Sequence, residues 1–269
     1  MTKPAACSER HNDGGKRVSE ANPLDRFVSV RRTHLDLFSG IGGFALAAQW
    51  AGFETVAFCE IEEFPRKVLE KNFPGVPIHR DIKNLDGSKY AGVELITGGY
   101  PCQPFSVAGK RKGAEDDRHL WPEMRRIIAQ AKPRWVVAEN VAGHVTMGLD
   151  DVLSDLERDN YAAWAVVVPA AAVGALHKRE RVWVVAHSND WNDKSSTVTR
   201  SVLRAEIEKQ RADGDARSAS WGRDRWQAIK PGVPLVADGL PGRVDRFRAA
   251  GNAIVPQVAY EILRAISAH

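Results

Sequence analysis

Runs of apolar residues recur along this chain at 34–38 (HLDLF), 55–59 (TVAFC), 77–80 (PIHR), 93–97 (VELIT), 135–139 (WVVAE), 163–168 (AWAVVV) and 181–187 (RVWVVAH). Several are apolar almost without interruption, which is expected of strands covered on both faces rather than one. Between them, apolar positions spaced three and four apart predict helices over 44–51, 62–72, 120–131 and 149–158. Strands alternating with helices predict an α/β domain, a Rossmann-like and mostly parallel sheet flanked by helices. This domain is expected to span 33–187. After it the texture changes to mixed charge, Trp191, Trp221 and Trp226, and frequent Gly, Pro and Ser, with one helical stretch at 201–211. A small irregular lobe over 188–243 is expected there. The apolar pattern returns at Ile254 and runs to Ile266, so the segment 244–269 is expected to bring a C-terminal helix back onto the main domain. Residues 1–32 are polar and aperiodic up to Phe27 and are expected to form a mobile tail.

With 269 residues, 43% of them hydrophobic, the chain can bury a sizeable core. Its three cysteines, Cys7, Cys59 and Cys102, make no disulfide framework and no paired metal spacing, so no metal is expected and a reducing compartment is. No apolar run approaches a membrane span, and the first residues lack the apolar centre of a signal peptide; a cytoplasmic location is expected. The net charge of +4 allows a polyanionic partner without requiring one.

Five places carry candidate chemistry. In LDLFSGIGGFA a strand enters a glycine-rich turn that opens a helix, and Gly40, Gly42 and Ala45 satisfy a loose dinucleotide pattern. Glu60 follows Gly40 by twenty residues at the next strand end, where a carboxylate can accept from ribose hydroxyls; a tight turn beside a solvated carboxylate is the plainer alternative. Asp81 ends the third strand on the same edge, as an acceptor or as a helix cap. Glu139 emerges from the apolar run WVVA, where burial would raise its pKa and suit it to donate or share a proton; a hydrogen-bonded structural carboxylate is the plainer alternative. Arg179 and Arg181, two residues apart, are expected on one face of the strand they begin, to grip a base carbonyl or phosphates or to form surface ion pairs. Lastly, GGYPCQPFS holds Cys102 between Pro101 and Pro104, stiff enough for a positioned nucleophile or for a rigid turn.

Taken in order, DLFSGIGGF, GGYPCQPFS, ENV, HKRERVWVVA and GNAIVPQVAYEI resemble the motifs of the C5-cytosine DNA methyltransferases, and the match runs with gaps from Leu35 to Ile266. The resemblance implies a DNA (cytosine-5-)-methyltransferase. Cys102 would add to C6 of a flipped-out cytosine, Glu139 would bond its N3, and Arg181, with Arg179 beside it, would contact O2. It also implies S-adenosylmethionine as cofactor. Phe38, Gly40 and Gly42 would face its methionine end, Glu60 its ribose, Ile61 its adenine and Asp81 the adenine amino group, while Asn252 closes the pocket; Gly43, Ile82 and Pro101 are further cofactor-binding residues. The loop 109–118 resembles the family's mobile loop, and 188–243 would be the target-recognition lobe. Double-stranded DNA is the implied partner, a cognate restriction endonuclease a functional one, and a monomer the expected state. The chain departs from the family at His177, where many members carry glutamine, and at Leu176, where many carry proline; the family's penultimate motif is hard to find before Arg248-Ala249-Ala250. Competing readings are a transfer-RNA cytosine-5 methyltransferase on the same scaffold, a nicotinamide-dependent oxidoreductase, and a catalytically silent DNA-binding regulator.

Overall fold

The computed structural model describes residues 32–101, 120–175, 178–191, 249 and 251–267. The expected tail, Cys102, the loop 109–118, Leu176, His177, the helix expected at 201–211 and nearly all of the expected lobe lie outside the described residues. Strands β1 (Thr33–Leu37), β2 (Glu54–Cys59), β3 (Ile78–His79), β4 (Leu95–Gly98), β5 (Trp135–Val141), β6 (Tyr161–Pro169) and β7 (Glu180–Ser188) form one sheet in the order β3-β2-β1-β4-β5-β7-β6. Helices α1 (Gly43–Trp50), α2 (Glu63–Asn72), α3 (Trp121–Ala131) and α4 (Leu149–Arg158) lie where the periodicity places them, and α5 is Pro256–Ser267.

Strands β1 to β5 are parallel, with the order turning back between β1 and β4. In such sheets ligands bind outside the carboxyl ends of the strands, at the reversal. The last two strands supply the antiparallel part of a sheet that is mostly parallel, as expected: β7 is antiparallel to both β5 and β6. The link from β6 to β7 is a short 3-10 turn, Ala170–Val173, followed by Gly174 in the left-handed region, and no crossover helix stands between the strands. This reversal matters for the site. It brings the start of β7, not its end, to the edge where the parallel strands finish, and pairs Val141 with Arg181.

The near-continuous apolar runs are explained by cover on both faces. Val136 and Ala138 face α3 and α4 through Met124, Ile127, Ile128, Val152 and Leu156. Val137 and Trp135 join the opposite layer, where Phe44, Ala47 and Ala48 of α1 meet Val258, Ala259 and Ile262 of α5. The C-terminal helix thus returns to the main sheet, and Phe44 meets Trp183 edge to face at 5.8 Å. Among the described residues no helix is long and apolar enough to cross a membrane.

The turn into α1 depends on Gly42. Its φ is 88°, and a Cβ there would stand 2.7 Å from Phe73 Cε2 and 3.0 Å from Leu69 Cδ2. Gly42→Ala therefore combines a left-handed alanine (~1–2 kcal/mol) with overpacking (~1–3 kcal/mol). It is expected to lower unfolding free energy by about 2–5 kcal/mol in urea titration; an unchanged midpoint would show the turn to be more plastic than these contacts allow.

Candidate active site

The glycine loop is tied down by short bonds to the end of β2. Ser39 Oγ donates to the carbonyl of Asp36 at 2.7 Å and accepts from the Cys59 amide at 3.2 Å. Phe38 sits in the left-handed region, φ 52°, a costly conformation for a residue with a side chain. Glu60 accepts from the Gly40 amide and from the Glu62 amide, both at 2.7 Å, so one carboxylate joins the loop after β1 to the approach to α2. Burial raises its pKa, and those two amides oppose the shift. Asp81 accepts from the Lys83 amide at 2.9 Å and caps the 3-10 turn Ile82–Asn84, the plainer role anticipated for it; Ile82 is buried. Ile61, next to Glu60, is 70% exposed. The carboxyl ends of β1, β2 and β3 therefore carry an open glycine turn, two carboxylates and an uncovered aliphatic side chain. Ile254, beyond Asn252, fills the space a Cβ on Gly43 would need, at 2.7 Å.

Below this loop runs a buried polar chain that the apolar pattern of β1 conceals. His34 bonds Thr55 Oγ1 through Nδ1 at 2.9 Å and Thr97 Oγ1 through Nε2 at 2.7 Å, and Thr97 donates to Asp36 Oδ1 at 2.9 Å. Burial lowers the His34 pKa to about 3, so the ring is neutral. Burial likewise pushes Asp36 well above the usual carboxylate range, opposed by Thr97 and by the Ala45 amide in α1. Cys59 is also buried, and burial, with Glu60, Asp81 and Asp36 nearby, pushes its thiol up to about 12. It is no nucleophile.

At the end of β5, Glu139 Oε1 meets Arg181 Nε at 2.8 Å. Despite this ion pair, burial pushes the Glu139 carboxyl up to about 7, against the pull of Arg181 and Arg179. Desolvation outweighs the neighbouring charges. Glu139 also lies against the chain that leads to Cys102: a Cβ on Gly99 would lie 3.3 Å from Glu139 Oε2. Asn140, next in the strand, donates to the Tyr100 carbonyl at 3.1 Å and accepts from the Val141 amide at 2.8 Å. Pro101 is the last described residue before Cys102.

Arg179 and Arg181 do not share a strand face as expected. Strand β7 begins at Glu180, and Arg179 precedes it with φ 32°, which breaks the period-two alternation. Arg179 Nη2 instead donates to the carbonyls of Gly251 and Ala253 at 2.9 and 2.7 Å, on either side of the exposed Asn252. The sequence reading also passed over Asn140, Tyr100, His144 and the Asp36 chain. Asn140 stood within the quoted ENV triplet, where an amide announces no chemistry of its own. The others pair only in three dimensions.

A family model described as C-5 cytosine-specific DNA methylase matches residues 33–220. Type II methyltransferase M.HhaI of Haemophilus parahaemolyticus is 34% identical over 163 residues, covering 59% of this chain and 50% of that protein. M.PspPI of Psychrobacter sp. (strain TA137) is 38% identical over 175 residues, covering 60% of this chain and 40% of that one. The chain thus spans about half the length, or less, of the curated relatives it matches. Among solved structures, a mutant of DNMT2 from Spodoptera frugiperda aligns with a TM-score of 0.52 at 26% identity, over 61% of this chain and 52% of that chain. The family match extends from the first strand past the last and takes in the glycine turn, both carboxylates at the strand ends and the Glu139–Arg181 pair, and the chain belongs to the C-5 cytosine-specific DNA methylase family.

Proposed function

We propose that this chain methylates C5 of cytosine in duplex DNA, with S-adenosylmethionine as methyl donor. The observation that carries the reading is the buried Glu139–Arg181 pair beside the backbone that leads into Pro101-Cys102, with Glu139 near 7. Cytosine C5 is a poor nucleophile. A thiolate adding at C6 turns it into an enamine-like carbon, and the electron density that moves to N3 and O2 needs a proton donor and a cation. Cys102 makes the addition, Glu139 faces N3 and Arg181 faces O2. After C5 has taken the methyl group, a base removes the C5 proton, the C6–sulfur bond breaks and Cys102 departs. The target lies within a stack, so it is flipped out at a cost of a few kcal/mol.

The residues at the other strand ends fit the donor. An uncovered Ile61 beside Glu60 and Asp81 offers an apolar face for a purine and acceptors for hydroxyl and amino groups. S-adenosylmethionine supplies an electrophilic methyl group there. In this reading Phe38, Gly40, Gly42 and Gly43 face its amino-acid end, Ile82 backs the adenine side, and Pro101 and Asn252 border the opening. Arg179 acts on the turn around Asn252 rather than on the base. Glu60→Gln and Asp81→Ala are each expected to weaken donor binding about tenfold to a hundredfold, since hydrogen bonds to charged groups are worth ~1.5–3 kcal/mol. Calorimetry on the folded variants checks this; wild-type affinity in both would place the donor elsewhere.

Residues 188–243 are proposed to choose the DNA site and 1–32 to be dispensable for chemistry. A cognate restriction endonuclease alongside and action as a monomer in the cytoplasm belong to the same proposal. The relatives named as Type II methyltransferases support duplex DNA as the substrate. They disfavour transfer RNA as substrate, and a nicotinamide oxidoreductase would leave the Glu139–Arg181 pair without a task. Bisulfite sequencing of plasmid DNA from cells expressing the protein tests the proposal: C5 methylation at a recurring site is expected, and none in a well-expressed, folded protein would overturn it.

A further inference from the structure

Tyr100 is held from several sides. Its ring is 4% exposed and lies 5.3 Å from the ring of Trp121, the first residue of α3. Its hydroxyl is 2.7 Å from Nε2 of His144, which is 3% exposed and sits in the 3-10 turn Ala142–Thr146 that follows β5. Its carbonyl takes the Asn140 amide. Trp121 is itself fixed by its Nε1 donating to Asp155 Oδ2 of α4 at 3.0 Å. Tyr100 and Trp121, in contact with each other, stand before and after Cys102 in the sequence.

Apolar packing alone does not account for this arrangement. A tyrosine and a histidine buried together cost free energy unless their polar atoms meet, and when they do meet they fix distance and angle as two phenyl rings cannot. Tyr100 precedes a proline, which restricts its own backbone, and Pro101 has its φ locked by its ring. With the ring, hydroxyl and carbonyl of Tyr100 all held and φ of Pro101 locked, the direction in which the chain leaves Tyr100 is fixed. We propose that Tyr100 and His144 are positioning residues: their hydrogen bond, together with the Asn140 bond, aims the chain so that Cys102 meets the ring that Glu139 and Arg181 face.

The proposal rests on Cys102 being the nucleophile, and the test separates the two. Tyr100→Phe keeps the ring against Trp121 and removes the hydroxyl. The double variant Tyr100→Phe with His144→Phe removes both polar ends of that bond. Three quantities are compared: melting temperature, donor affinity by calorimetry, and the single-turnover rate of adduct formation on a 5-fluorocytosine duplex at the site found by bisulfite sequencing. Positioning predicts a rate at least tenfold below wild type in both variants while they melt cooperatively and keep donor affinity within twofold. A wild-type rate in folded Tyr100→Phe, or a donor affinity that falls in step with the rate, would overturn it. If wild type forms no adduct on any methylated site, the nucleophile assignment fails instead. Positioning is then judged without DNA by the iodoacetamide alkylation rate of Cys102, read by peptide mass spectrometry: a threefold or larger change in Tyr100→Phe sustains it, and an unchanged rate rejects it.

Discussion

Wild-type protein incubated with S-adenosylmethionine and a duplex bearing 5-fluorocytosine at its target is expected to give a protein–DNA complex that survives denaturant, and Cys102→Ser is expected to give none. Sulfur addition at C6 and methyl transfer to C5 both proceed on the fluorinated base. Fluorine cannot then leave as a proton does, so the electron pair that would expel Cys102 never forms and the C6–sulfur bond persists. Serine fails at the first step, because a hydroxyl is far less ionised near neutral pH than a thiol. The buried Cys59, pushed up to about 12, serves as an internal control. Peptide mass spectrometry is expected to find the base on Cys102. An adduct on Cys59, or no adduct from protein that methylates the unmodified duplex, would overturn the mechanism.

Glu139→Gln is expected to cost about a hundredfold to ten-thousandfold in single-turnover rate, the range for a positioned acid or base. In wild type the rate is expected to fall as pH rises through about 7, where Glu139 loses its proton, and the glutamine variant is expected to lose that limb. Weakening the opposing charge by Arg181→Met should move the limb to higher pH, because Arg181 pulls the carboxyl down. Stability carries the same signature. The folded pKa is raised from 4.5 to about 7, so folding favours the protonated form: the contribution is fully present below 4.5 and is lost as pH rises through 7. At about 1.4 kcal/mol per unit, this amounts to about 3 kcal/mol between those limits. Urea unfolding at several pH values measures it, and a glutamine variant that keeps the full wild-type dependence on pH would show that another group is titrating.

The strands and helices were legible because each buried strand is an apolar run and each helix carries a one-sided stripe; WVVA and RVWVVAH could hardly be anything but core. The parallel-to-antiparallel change was not legible. Nothing in AWAVVV distinguishes a strand reached by a crossover from one joined by a short turn, and only the length of the link decides it. The carboxylates at strand ends were visible because Glu60 and Glu139 each stop an apolar run and Asp81 follows the short strand at 77–80. Arg179 was misplaced because period-two alternation assumes extended backbone, and its φ of 32° is not extended. The partners His34–Thr97–Asp36 and Tyr100–His144 lie far apart in the chain, and residues of these types read singly as ordinary strand or turn positions.

Arg179 has a wider consequence. It ties the chain just before β7 to the turn before α5, and α5 is itself buried against Trp183 and Val185 of β7. The chain between Ser188 and that turn therefore departs from, and rejoins, one fixed pair of supports. Closing a longer loop between fixed ends costs only about 0.6 kcal/mol per doubling of its length. Selection can lengthen, shorten or exchange that segment at small thermodynamic cost, leaving the sheet and its carboxyl edge untouched. Under the role proposed for 188–243, one chemical apparatus is inherited intact while its choice of DNA address drifts freely.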